Sequence, residues 1–355
     1  MNGLEYIRST GYWKNALSSI EGIAGARECV FSEGSARGMR AIEVYTGSGF
    51  EFTVLPERGL DIADAKLFGI PIAYIPKMGV QANAACGAPG SGEFLRNFLG
   101  GLVTTCGLDN VGSECTIDGM FYPMHGRHTY TPAHHVTVER FWDKDDYRIV
   151  VSGSVRLAAL FRENLVLRRR IETALGQSKL VIEDTIVNES GQAQQYMLMY
   201  HCNFGFPLVS PDSRMITNHK RAEFLDEQSR QLNIDRHRFA TPQSDYKQSA
   251  FTLHDPAGQV VKSVVANPKL GLGAYVQCDA NQLGSFTQWV QLGHQDYVLG
   301  LEPGKSTPIG RKKAIETEAI ISIESGAQHQ ARVEIGVLQD REMLEYERLI
   351  TEEQK

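Results

Sequence analysis

Four short stretches combine side chains that can move protons or hold oxygen atoms with apolar or glycine-rich settings that would not otherwise select them. Tyr200-His201-Cys202-Asn203-Phe204-Gly205-Phe206-Pro207 ends an apolar alternating run. A histidine among so many aromatics is partly desolvated, which disfavours its cation and can tune it for proton transfer; a satisfied core histidine is the alternative. Val298-Leu299-Gly300-Leu301-Glu302-Pro303-Gly304 sets one carboxylate at the end of another apolar strand. A glutamate there must be ion-paired or have a raised pKa, as a general base working near neutrality requires. In Pro56-Glu57-Arg58-Gly59-Leu60-Asp61, Arg58 offers a fork of donors to vicinal hydroxyls or an acid group, or else pairs structurally with Asp61. Met124-His125-Gly126-Arg127-His128 is followed closely by His134 and His135. A neutral imidazole can donate to or accept from a ligand oxygen, and the glycine permits close approach. The same four histidines could form a metal site or be ordinary surface residues. Nothing acidic or thiol-bearing stands at ligand spacing beside them.

Other familiar motifs fall away. Gly304-Lys305-Ser306 imitates the end of a phosphate-binding loop, but the earlier glycine is one residue out of place and Pro308 blocks the helix, so a turn is expected. No HExxH or GxSxG is present. Arg168-Arg169-Arg170 lies in a strand-like run, so its side chains must alternate faces; a solvated strand is expected rather than a nucleic-acid patch. The six cysteines, Cys29, Cys86, Cys106, Cys115, Cys202 and Cys278, include no CxxC pair and read as reduced thiols.

The elements that must position these groups are strands. Ile42 and Val44 alternate with polar residues, Thr46-Gly47-Ser48-Gly49 turns the chain, and Phe50, Phe52 and Val54 alternate again: a hairpin. The pattern recurs across the turns at 143–146, 188–191 and 255–258, and again through Leu270, Leu272, Ala274 and Val276. Regular short strands with turn chemistry between them predict an all-β sandwich or barrel. Helical spacing is confined mostly to the ends: Leu17, Ile20 and Ala24 within residues 1–30, and Met343, Tyr346 and Ile350 within 338–355. Glycine-rich loops at 79–92 and 100–112 are where a rigid β scaffold tends to carry function. No linker or fixed-period repeat interrupts the chain, so residues 1–355 are read as one domain.

Composition closes off several classes. At 42% hydrophobic and 22% charged residues, the chain is neither disordered nor fibrous. Its net charge of −6 supplies no field to hold a polyanion, so no nucleic-acid partner is expected. Apolar stretches fall far short of the ~20 residues that span a bilayer, and MNGLEYIRSTGYWKN lacks the pattern of a signal peptide; the expectation is a cytoplasmic protein with no membrane partner.

LPERGLDI, GGLVTTCGLDNVG, MHGR, YHCNFGFP and GLEPG, in that order from about residue 40 to residue 304, give the sequence a specific likeness. It resembles the aldose 1-epimerases, the galactose mutarotase-like proteins, and in particular a divergent bacterial branch. The resemblance implies a β-supersandwich of antiparallel strands with short terminal helices and an open cleft. It also implies cofactor-independent interconversion of sugar anomers by ring opening, as a monomer or homodimer. Carried over by residue, His201 is the acid that protonates the ring oxygen and Glu302 the base that takes the anomeric proton. His125 and Arg58 hold ring hydroxyls, with Asp109 in CGLDN as counterpart of the hydroxyl-reading aspartate and Asn203 as a shifted polar neighbour. Arg127, where a glycine is usual, together with Arg58 suits an anionic sugar. No cofactor and no metal are implied. Two alternatives keep the fold and change the chemistry: a sugar-binding protein without turnover, and a metal-assisted isomerase or lyase using His125, His128, His134 or His135.

Overall fold

The period-two runs become antiparallel strands throughout. The computed structural model describes residues 7, 9–82, 91–256 and 258–353. Ile42 pairs with Val54 and Val44 with Phe52, so the hairpin that turns at Thr46–Gly49 buries one apolar face. Strands His134–Asp143 and Asp146–Ala158 pair in the same way across the turn at 143–146. The other two expected turns do something different: at 188–191 and beyond Pro256 the chain leaves one sheet and enters the other. Asn188 shapes the first crossing, donating to Gln192 and Ile323 carbonyls and accepting from the Ser190 N–H.

Two large sheets result. The first has twelve strands. Its main path runs Gly25–Val30, Arg40–Tyr45, Phe50–Leu55, Asp61–Leu67, Val103–Leu108, Gln194–Gly205, Asp296–Gly304, Ser285–Gly293, Ser249–Pro256 and His219–Phe224. The second has eight strands and places Gln328–Gln339, Lys179–Asn188, Asn164–Ala174 and Asp146–Ala158 side by side. One apolar cluster drawn from both sheets, including Ile42, Phe52, Val151, Leu167, Ile182, Phe204 and Leu301, fills the space between them. This is the all-β architecture expected.

Four expectations need correction. The loop reading at 100–112 gives way to strand Val103–Leu108, whose buried residues pair with Gln194–Gly205 inside the larger sheet. Within residues 1–30 the helical reading holds at Ile7 and Ser9, in the helix Trp13–Ala16 and in a 3-10 turn, Ile20–Gly22, but from Gly25 the chain is strand Gly25–Val30; residues 1–6 and 8 lie outside the described residues. Edge pairing of Gly25–Val30 with Arg40–Tyr45 wins over so short a helical pattern. The loop reading at 79–92 falls partly outside the described residues, since 83–90 and Cys86 are not described, and its end opens a helix, Ser91–Asn97. Arg169 is not solvated. Its side chain is fully buried between the sheets, with Asp184 on two of its nitrogens at 3.0 and 2.7 Å, Asp61 at 3.3 Å, and the Gly59 and Leu60 carbonyls. Asp61 therefore pairs with Arg169 rather than Arg58. Tyr200 donates to Asp184 at 2.6 Å, tying this buried network to the strand that carries His201.

The C-terminal expectation holds over Asp340–Glu353, a helix that buries Met343 and Ile350. No helix among the described residues is long and apolar enough to cross a membrane. The five described cysteines are free.

Candidate active site

Strand register builds the site. The pairs Met199↔Gly304 and Cys202↔Leu301 set His201 opposite Glu302 on adjacent strands. His201 is also opposite Thr104, Glu302 opposite Thr287, and Thr287 opposite Thr252. Directly opposed residues share a face, so Thr104, His201, Glu302, Thr287 and Thr252 form one polar row across five strands. Their neighbours Tyr200, Cys202, Leu299 and Leu301 are buried, and by strand alternation they point the other way, into the core. A sheet face turned from the core carries a row that is nonetheless buried at its centre: His201 is 6% exposed, Glu302 2% and Thr287 1%, while Thr252 at its end is partly open.

What buries the row is a shell of rings. Phe98 packs against His201 with centroids 5.2 Å apart, Trp289 at 5.3 Å and His125 at 5.9 Å, while Phe94 covers His125 at 5.1 Å. Phe94 lies on the helix Ser91–Asn97, and Phe98 follows one turn later. Trp289 stands two residues from Thr287 on the same face, opposite Gly300. A Cβ on Gly300 would sit 2.3 Å from Glu302 Oε1 and 3.1 Å from Trp289 Cβ, so only glycine leaves room for the carboxyl.

His201 Nε2 and Glu302 Oε1 are 3.2 Å apart. The pair is close but not aligned as a hydrogen bond, and Glu302 Oε1, His201 Nδ1, Asn203 Oδ1 and Thr287 Oγ1 are each buried with no hydrogen-bond partner. Asn203 lies within hydrogen-bonding reach of the His201 ring, and the polar atoms left without a protein partner here are costly for the fold unless water or a ligand satisfies them. Burial pushes the Glu302 carboxyl well above the usual carboxylate range. Burial, and then His125, pull His201 down to about 3, with Asn203 opposing. The site thus favours a neutral pair, with the proton on Glu302 and His201 as acceptor.

His125 is set by its backbone. It adopts a left-handed conformation (φ 56°), its N–H donates to Gly112 O, and its carbonyl accepts from Gly107 N–H. Gly112 N–H points at Nδ1 from 3.4 Å, so in the neutral ring Nδ1 is the acceptor and Nε2 carries the proton. Burial lowers His125 to about 4, which keeps the ring neutral and makes it a hydrogen-bond donor near neutrality.

The remaining expected site residues are placed otherwise. Arg58 is completely buried and spends its donors inside the protein, on Thr129, Gln81 and Asn97, with its guanidinium over the Tyr130 ring at 5.0 Å. It ties the end of the Phe94 helix to the turn after His125, so it positions the walls of the cleft rather than presenting a fork to a ligand. Asp109 and Arg127, expected as separate ligand contacts, form an ion pair. Arg127 backbone N–H donates to Asp109 Oδ1 at 2.9 Å, its guanidinium donates to Oδ2, and Phe121 O takes a further bond. Burial raises the Asp109 carboxyl and Arg127 pulls it back. Gly126 fits beneath this pair, where a Cβ would meet Asp109 Oδ1 at 2.6 Å. Asn203 donates to Gly100 and His201 carbonyls and lies beside the His201 ring.

The four clustered histidines separate. His128 is buried with Nε2 on Gly59 O at 3.1 Å, and His134 and His135 pack on each other at the start of an edge strand. No group of three or more His, Cys, Asp or Glu among the described residues is placed to hold a metal ion. Sequence reasoning missed Phe94, Phe98, Trp289 and Thr287. The Phe94/Phe98 spacing of four was a readable helical signal; the other two depend on inter-strand register.

Comparison with solved structures places this fold. A protein from Klebsiella pneumoniae subsp. pneumoniae, provisionally described as an aldose 1-epimerase, superposes with a TM-score of 0.87 at 23% identity, over 93% of this chain and 88% of that one. A galactose mutarotase-like protein from Clostridium acetobutylicum aligns with a TM-score of 0.61 at 13% identity, covering 90% and 99%. A galactose 1-epimerase from Lactobacillus acidophilus NCFM gives 0.55 at 13% identity, covering 90% and 100%. No curated protein matches the chain in sequence. A family described as a domain of unknown function, DUF4432, matches residues 36–337. The chain therefore belongs to the DUF4432 family and has the galactose mutarotase-like fold.

Proposed function

We propose that the protein interconverts the anomers of a free sugar by acid/base ring opening, without a cofactor, at His201 and Glu302. The observation that carries this reading is their placement: two buried, oppositely shifted groups 3.2 Å apart, with unpartnered atoms in an aromatic-walled cleft. A cyclic hemiacetal presents two oxygens on one carbon, and such a pair can address both. Glu302 gives its proton to the ring oxygen while His201 takes the anomeric hydroxyl proton, leaving an open-chain carbonyl and a Glu302 carboxylate beside a His201 cation. Rotation about C1–C2 turns the other carbonyl face inward. On closure His201 returns its proton to the carbonyl oxygen and Glu302 takes the proton of the attacking hydroxyl. Roles expected from the sequence resemblance start from the other tautomer of the same one-proton pair; desolvation favours the neutral one. Each positioned group is typically worth 10²–10⁴-fold.

His125 supplies an Nε2–H to a ring substituent, and Trp289 offers an apolar face to the C–H side of a pyranose. The cations that suggested an acidic sugar are both engaged, Arg58 within the fold and Arg127 with Asp109. A neutral sugar suits the cleft better than an anionic one.

Anomer exchange followed by NMR over neutral hexoses, pentoses, deoxy sugars and uronates tests this. We expect at least one neutral sugar to exchange faster than in buffer, and uronates to gain less. Exchange gained only by uronates would remove the neutral-sugar assignment. No acceleration on any sugar would favour a binding protein that holds sugars without turning them over.

A further inference from the structure

Beyond the cleft, an open surface pocket of about 580 Å³ lies where the turn at 281–284 meets the ends of the two sheets. Lys305, His329, Gln282, Gln328, Gln330 and Asn281 line it, and no carboxylate is among its lining residues. It shares no lining residue with the cleft described above.

Lys305 is half-buried and forms no ion pair among the described residues; its ammonium donates to the Gln282 carbonyl at 2.7 Å. His329 is held through Nδ1 by the Tyr196 hydroxyl at 2.8 Å. Gln282 Oε1 is buried with no partner. Burial lowers the pKa of Lys305, and burial together with Lys305 lowers that of His329. Two basic groups therefore face one space with nothing acidic to balance them, beside amides able to bond hydroxyls and oxyanions. Evolution commonly places a lysine ammonium, as a compact point charge, against phosphate.

We propose that this pocket binds a phosphate-bearing small molecule, with Lys305 and His329 on the phosphate and the Gln282, Gln328 and Gln330 amides on its polar body. The lysine is that of Gly304-Lys305-Ser306, but the site is no nucleotide loop: the segment ends a strand, and Lys305 and Ser306 N–H both donate to Leu198 O. The pocket is open to solvent, so an ester's sugar can extend from the phosphate across the glutamine amides at its rim.

Titration calorimetry with inorganic phosphate and with glucose 6-phosphate, at fixed ionic strength against chloride, tests the proposal on wild type, Lys305→Gln and Gln330→Glu. Gln330 is exposed at the rim, so its variant keeps the fold while placing a negative charge at the mouth. We expect binding in wild type that weakens at least tenfold in both variants and is unchanged in Glu302→Gln. Tighter binding of the ester identifies a sugar phosphate as the class of ligand; equal binding identifies free phosphate. Binding no better than chloride, or binding that survives both variants, overturns the proposal. So does binding lost in Glu302→Gln alone, which would put the ligand in the cleft.

Discussion

Glu302→Gln is expected to abolish anomer exchange, by 10²–10⁴-fold, while raising the stability of the protein near neutral pH. The amide keeps the shape of the carboxyl and its place above Gly300, but neither gives nor takes a proton at neutral pH. The stability sign follows from burial. Glu302 has a raised pKa in the folded protein and an ordinary one, about 4.3, when unfolded. Between those values the folded state holds a proton that the unfolded state has lost, so stability falls as pH rises through the window. An amide at this position has no such dependence. The variant should melt a few degrees above wild type at pH 8, with the gap closing towards pH 4. A thermal melt series at both pH values, run beside the exchange assay, checks both halves. An inactive variant that is also less stable at pH 8 would mean that Glu302 holds the fold through contacts of its charged form.

Arg169→Met should be the most damaging single change away from the cleft, costing about 3–5 kcal/mol. Arg169 neutralises Asp61 and Asp184 where all three side chains are fully buried, and it also caps the Gly59 and Leu60 carbonyls. Removing it leaves two uncompensated carboxyls between the sheets. In a chain of this length the unfolding temperature would drop by roughly 4–7 °C, read by calorimetry. Adding Asp61→Asn and Asp184→Asn to Arg169→Met should recover part of the loss, because the damage lies in the unpaired charges. A single variant as stable as wild type would show that the acids are satisfied by other partners.

These two sites also show where sequence reading reaches and where it stops. The strands around His201 and Glu302 were legible because period two survives in the apolar runs on either side of them. That both residues lie on one face of neighbouring strands was not, since register between residues a hundred positions apart is set by the whole sheet. Arg58 reads as a ligand fork in the sequence because nothing there reveals the acceptors at Gln81, Asn97 and Thr129. Arg169 reads as surface for the related reason that Asp61 comes from a distant strand and the pairing that sets Asp184 opposite Arg169 is a matter of register. Asp109 and Arg127 were each picked out as polar groups near the cleft, but only their proximity shows that they satisfy each other. Trp289 and Thr287 sit in a strand whose alternation carries no mark of which face meets a ligand.

If a buried one-proton pair performs the ring opening, the pH dependence of anomer exchange with the best sugar must show it. With His201 lowered to about 3 and Glu302 raised, the neutral pair persists well into the acid range. The enzymatic rate, corrected for buffer, should hold from neutrality down to about pH 4, and fall on the alkaline side as Glu302 loses its proton. A rate that instead drops through pH 6.5, as an ordinary histidine titrates, would mean that a neutral His201–Glu302 pair is not the working form.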